Sequence, residues 1–130
     1  MTRQPIQTGD APAAIGPYSQ AIRVGDTVYL SGQIGLDPRS GQLVDGLEAQ
    51  AHQVFRNMRG VARAAGASLD HVAKLSIMLA DLADFAKVNE IMSGYFNAPY
   101  PARSTYQVAG LPRGARIEVE AIVVLDGGTP

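Results

Sequence analysis

Two groups of residues in this 130-residue chain have the types and spacing to do chemistry. The first is Glu118 and Glu120, preceded by Arg116, inside the most apolar stretch of the chain, Ala115 to Leu125. Residues two apart on a strand project to the same side, roughly 6.6–6.8 Å from each other. A carboxyl set among isoleucines and valines loses hydration, and its pKa rises toward the range where it serves as acid or base near neutrality. The competing reading of these residues is an ion-pair ladder with Arg116 on an exposed strand face. The second group is Pro101-Ala102-Arg103-Ser104. An arginine between a proline turn and a strand start is placed to line a cleft, and its planar fork grips a carboxylate through two parallel hydrogen bonds. The plainer alternative is a solvated loop arginine. Tyr18, after Gly16-Pro17, and Ser31-Gly32, at a strand end, are turn residues first and ligand contacts second.

Other chemistries lack their residues. The chain has no cysteine, which excludes thiol catalysis, a disulfide scaffold and cysteine-ligated zinc. His52 and His71 stand apart from any metal-binding spacing and read as surface histidines. No phosphate-binding glycine loop, dinucleotide fingerprint or nucleophile elbow is present. Eleven Lys and Arg against twelve Asp and Glu leave a net charge of −1, which argues against a nucleic-acid partner bound through phosphate neutralisation. The longest apolar run, Ala121 to Leu125, falls far short of the roughly 20 residues that span a bilayer. Met1 to Ala14 lacks the basic and apolar segments of a secretory leader. The expectation is one cytoplasmic domain over residues 1–130 with no membrane partner.

These candidates need elements to hold them. Ala21 to Val24 and Thr27 to Ser31 read as strands joined through Gly25-Asp26, a two-residue hairpin loop with glycine first. Leu36 to Leu43 is dense in turn formers and reads as a surface loop. Leu47, Ala51, Val54, Met58, Val61 and Ala65 recur at spacings of 4, 3, 4, 3 and 4, an apolar helical stripe. Gln53, Arg56, Asn57 and Arg63 then face solvent, with Asp45 as N-cap and Gly66 as the left-handed stop. Val72 to Ala80 reads as a strand whose Ala73, Leu75, Ile77 and Leu79 share a face. Asp81 caps a second helix, Leu82 to Phe96, with Phe85, Val88, Met92 and Phe96 on one side. Ser104 to Val108 and Ala115 to Leu125 complete the order ββ, α, β, α, ββ. Two helices cannot cover both faces of a mixed sheet of five or six strands. One face stays open although several strands are apolar on both sides, so the chain is inferred to bury that face against other copies of itself.

Several segments together resemble one family. Ala11-Pro12-Ala13-Ala14-Ile15-Gly16-Pro17-Tyr18-Ser19-Gln20 is similar to the N-terminal signature of the reactive intermediate deaminase (Rid, or YjgF) family, in its RidA branch. Ser31-Gly32-Gln33-Ile34, Asp81 to Asn89, Pro101-Ala102-Arg103-Ser104 and Ala115 to Ala121 resemble its later blocks, in order and at matching spacing. The resemblance implies an α+β, chorismate-mutase-like fold with two helices on one face of the sheet. It implies a homotrimer with sites between subunits. It also implies cofactor-free hydrolysis of 2-imino acids, or their enamine tautomers, to 2-oxo acids and ammonia, with 2-iminobutanoate and 2-iminopropanoate as substrates. By position, Arg103 would hold the substrate carboxylate and Glu118 would position the water. Tyr18, Ser31, Gly32 and Asn89 would line the pocket. Thr105 stands where many members have cysteine, and its hydroxyl keeps a hydrogen-bonding group there. A trimer that binds 2-oxo acids without turnover, or a deaminase for another enamine such as aminoacrylate, would share the same pocket.

Overall fold

The computed structural model describes residues 2–125 and runs, in chain order, β1 (Gln4–Ile6), β2 (Ala21–Val24), β3 (Thr27–Gln33), α1 (Leu47–Ala64), β4 (Val72–Leu79), α2 (Phe85–Ser93), β5 (Ala102–Gln107) and β6 (Ile117–Val124). The strands form one sheet in the order β1-β2-β3-β6-β4-β5. Every pair is antiparallel except β4 with β5, which α2 joins as a crossover. This is the expected α+β layout of a mixed sheet with two helices. β1 is an addition to it: its three residues, Gln4-Pro5-Ile6, are too few to show alternation, and a proline is tolerated there because the strand lies at a sheet edge.

One sheet face is the core. β6 buries Ile117, Val119, Ala121 and Val123, and β4 buries Leu75, Ile77 and Leu79 beside them. Each of the valine, leucine and isoleucine side chains among them contributes about 1.5–3 kcal/mol on leaving water. Ala73 is an exception to the expected alternation and is exposed, because the register shifts between Val72 and Lys74 and Val72 takes the buried side. From above, α1 contributes Ala51, Val54, Phe55, Met58 and Val61, and α2 contributes Val88, Ile91 and Met92. Phe55 meets Phe96 edge-on at 5.8 Å between ring centroids.

The helix ends differ in part from expectation. Gly66, at φ +83°, closes α1: its N–H donates to the Arg63 carbonyl at 3.0 Å while Ala67 N–H donates to that of Ala62 at 2.9 Å. At the other end Gly46, not Asp45, is the cap residue, and no side chain caps the helix. Asn57 is fully buried rather than solvent-facing, and its amide donates to the Leu36 carbonyl at 3.0 Å. A polar residue beside an apolar stripe points inward when a loop carbonyl waits there. Asp81 does cap, accepting from Ala83 N–H at 2.9 Å, but it caps a 3-10 turn, Leu82–Asp84, that leads into α2. The second helix is therefore shorter than the expected Leu82 to Phe96. None of the described helices is long and apolar enough to cross a membrane.

No helix of the described residues covers the opposite sheet face. Pairing places Tyr106, Met78 and Glu118 in one row across β5, β4 and β6, and Ser104, Ser76 and Glu120 in the next. Tyr29 pairs with Ile122 and Thr27 with Val124 on the same side. Tyr29, Tyr106 and Val124 are 51%, 45% and 44% exposed, so the open face is apolar as well as polar.

Candidate functional site

Glu118 owes its position to an irregularity in its neighbour. The β3–β6 register shifts between Leu30 and Gln33, at Ser31-Gly32, and a bulge of this kind re-aims the side chains around it. The Glu118 carboxyl lies over Gly32: a β-carbon there would sit 2.9 Å from Glu118 Cδ and 3.2 Å from Cγ. Gly32 is thus a space-maker for the carboxylate. Burial pushes the Glu118 carboxyl above the ordinary glutamate range, and the neighbouring charge of Glu120 pushes it the same way. Arg116 does not neutralise it. That guanidinium instead pairs with Asp84 at 2.9 Å, so the expected ladder of Arg116 with Glu118 and Glu120 gives way to a bridge from the start of β6 to the α2 entry. Glu118, Gly32, Ser31 and Tyr18 line a cleft of about 670 Å³ together with Ile15 and Arg113. The Ser31 hydroxyl donates to the Ser19 carbonyl at 2.5 Å, which fixes the chain next to Tyr18.

Arg103 belongs to a second cleft, of about 490 Å³, lined also by Asn89, Met92, Ser93, Tyr100 and Pro101. Its guanidinium donates to Asn89 Oδ1, and its Cζ lies 5.2 Å from the centre of the Phe85 ring. The side chain is therefore held on α2 rather than loose in a loop, with a cation–π contact beneath it. Thr105, two residues along β5, shares that side of the strand. Its hydroxyl oxygen is buried and has no hydrogen-bond partner among the described residues.

The two clefts lie on opposite faces of the sheet. Arg103 pairs with Leu75, which pairs with Ala121 on the helix-covered side, whereas Glu118 shares its row with Met78 and Tyr106 on the open side. One protomer therefore brings together Arg103, Asn89 and Thr105 on one side, and Tyr18, Ser31, Gly32 and Glu118 on the other, and it does not bring the two sets to one small ligand. Phe85 is a contact that the sequence reading does not name: it is expected on one helix face with Val88, Met92 and Phe96, which are buried, yet it is 38% exposed under Arg103. Its spacing of four from Asn89 was the available signal, since residues i and i+4 of a helix share a face. His52 makes a 2.8 Å hydrogen bond to the Tyr95 hydroxyl, and His71 caps the Ser68 turn. Among the described residues no group of three or more His, Cys, Asp or Glu side chains is placed to hold a metal.

The family model described as Endoribonuclease L-PSP matches residues 8–125. The 2-iminobutanoate/2-iminopropanoate deaminase of Mus musculus is 54% identical over 94% of this chain and 91% of its own. That of Homo sapiens is 51% identical over 95% and 91%. Among solved structures, RidA from the Antarctic bacterium Psychrobacter sp. PAMC 21119 superposes with a TM-score of 0.92 at 51% identity, covering 94% of this chain and 99% of that one. Escherichia coli TdcF with bound serine gives a TM-score of 0.90 at 37% identity, covering 95% and 99%.

Proposed function

This chain belongs to the Endoribonuclease L-PSP family, in the RidA branch of the Rid/YjgF proteins, and from that premise we propose how its residues act. It is a 2-iminobutanoate/2-iminopropanoate deaminase, hydrolysing the imine to a 2-oxo acid and ammonia. The substrate sits between two copies of the chain in a homotrimer, one giving Arg103 and the other Glu118. The observation that carries the composite site is the placement of these two residues on opposite faces of one sheet. The apolar open face, with Tyr29, Met78, Tyr106 and Val124, supplies the surface that self-association would cover.

The chemistry follows from the groups present. A 2-imino acid protonated on nitrogen is already electrophilic at C2 and needs orientation and a water more than a strong nucleophile. Arg103, held by Phe85 and Asn89, takes the carboxylate through its fork. The unpartnered Thr105 hydroxyl, on the same side, offers it a further hydrogen bond. Glu118 accepts a proton from the water as its oxygen bonds to C2, which gives a tetrahedral carbinolamine. It then returns that proton to the nitrogen; as the C–N bond breaks and the C2 carbonyl forms, the hydroxyl proton passes to the Glu118 carboxylate and leaves with the ammonia as ammonium. A carboxyl with a raised pKa suits these transfers near neutrality. The serine bound to the related TdcF is a small amino acid, a ligand of the size and carboxylate chemistry required here.

The direct test generates 2-iminobutanoate in place with a threonine dehydratase and follows its disappearance. The protein is expected to speed imine loss and 2-oxobutanoate formation together in proportion to its concentration. Saturable protection of the imine, with slower loss, would show a binding protein instead.

A further inference from the structure

Gln20 is buried, 3% exposed, and its amide is surrounded by the backbone of an earlier segment. Its Oε1 accepts from Thr8 N–H at 2.7 Å, while its Nε2 donates to the carbonyls of Thr8 at 3.0 Å, Pro12 at 2.8 Å and Ala11 at 3.3 Å. The side chain therefore pairs with both the N–H and the C=O of Thr8, as a neighbouring strand would. Only a primary amide carries the donor and the acceptor for this on one planar group. Ala11, just beyond, is 2% exposed, and the Asp10 carbonyl packs against α1 so closely that a β-carbon at Gly60 would meet it at 2.7 Å.

From there the chain runs to Tyr18 with little of its own to hold it. Its tip residue Ile15 is 86% exposed, Gly16 adopts φ +122°, and the internal bond is Tyr18 N–H to the Gly16 carbonyl at 2.9 Å. It is secured again at Ser19, whose carbonyl accepts the Ser31 hydroxyl, and at Gln20, whose carbonyl accepts Ser31 N–H at 3.0 Å. Pro12, Ala13, Ile15 and Tyr18 from this strap, with Gln20 at its end, form one wall of the Glu118 cleft. The wall has no core of its own, and its near end is fixed by the Gln20 amide.

We propose that Gln20 is a positioning residue for substrate binding: its amide clamps Thr8 to Pro12 and so sets the strap that walls the Glu118 cleft. The inference rests on the deaminase reading for its kinetic consequence, and its structural half stands apart from it. Removing the clamp leaves Arg103 and Glu118 in place and loosens the wall, so KM rises while the chemical step is retained.

The test uses Gln20→Leu and Gln20→Glu in the full-length protein. Hydrogen exchange is read over residues 8–18 and over the rest of the chain, and KM and kcat for 2-iminobutanoate are measured. Both Gln20 variants are expected to exchange at least about tenfold faster over residues 8–18 only, to raise KM by about tenfold, and to hold kcat within about twofold. Gln20→Glu keeps the volume and the acceptor but loses the donors, so it reports the clamp if Gln20→Leu does not fold. Unchanged exchange over residues 8–18 in whichever variant folds overturns the clamp. Faster exchange there with unchanged KM overturns the role in binding. Wild-type protein inactive on the imine in the same assay would instead overturn the deaminase reading while leaving the exchange result to judge the clamp.

Discussion

Replacing Arg103 by alanine is expected to lower kcat/KM for 2-iminobutanoate by about 100-fold or more. Two charge-assisted hydrogen bonds to a carboxylate are lost, each worth about 1.5–3 kcal/mol, and the orientation they impose is lost with them. Both KM and kcat should suffer, because in the proposed mechanism the same grip binds the acid and aims C2 at the water. Arg103→Lys keeps the charge but loses the fork and the guanidinium contact with Phe85, so it should recover only part of the rate. Arg103 is an exposed residue of β5 whose side chain lies against α2 and bonds Asn89 there, so the alanine variant should fold. A folded Arg103→Ala protein whose kcat/KM stays within about threefold of wild type would remove the carboxylate anchor from the account.

Glu118→Gln is expected to act mainly on kcat, lowering it by about 10²–10⁴-fold, the usual range for a positioned acid–base group. The glutamine keeps the shape that Gly32 makes room for but cannot take the proton. The same substitution should raise stability, in a pH-dependent way. Glu118 has a folded-state pKa above its unfolded value, so the folded protein binds the proton more tightly than the unfolded chain. Its contribution is present below the ordinary glutamate range and is lost as pH rises through the raised folded pKa. Glutamine does not titrate. The melting temperature of Glu118→Gln relative to wild type should therefore increase from acid pH to neutrality. A thermal series across that range checks this, and a difference that shrinks toward neutrality would contradict the burial of an ionisable carboxyl at this site.

Much of the scaffold could be read from the residues, for a physical reason in each case. Leu47 to Ala65 had a strict 3–4 apolar spacing, and Ile117 to Val123 a strict alternation, and each pattern satisfies one kind of element only. The two-residue turn at Gly25-Asp26 follows from the left-handed φ of +61° that glycine allows there. What could not be read were matters of register and of partners. The shift at Val72/Lys74 exposes Ala73, and nothing local announces it. Asn57 turns inward because the Leu36 carbonyl, 21 residues away, lies within reach. Arg116 chose Asp84 over Glu118 and Glu120 because the fold brings the start of α2 beside it. At the site itself the residue types were legible, and the face each would occupy was not. That Arg103 and Glu118 point to opposite sides depends on how β5 pairs with β4 and β4 with β6, and pairing is a property of the assembled sheet.

That opposition makes the composite site directly testable. When Arg103→Ala and Glu118→Gln chains are co-expressed in equal amounts and assemble at random, the proposed composite site draws one residue from each of two chains. Chance then supplies both Arg103 and Glu118 at about one site in four. The mixed protein is therefore predicted to hydrolyse 2-iminobutanoate at about a quarter of the wild-type rate, although each variant alone is nearly inactive. Activity in the mixture no greater than that of the two separate variants would mean that each site draws both residues from one chain, and would contradict the account.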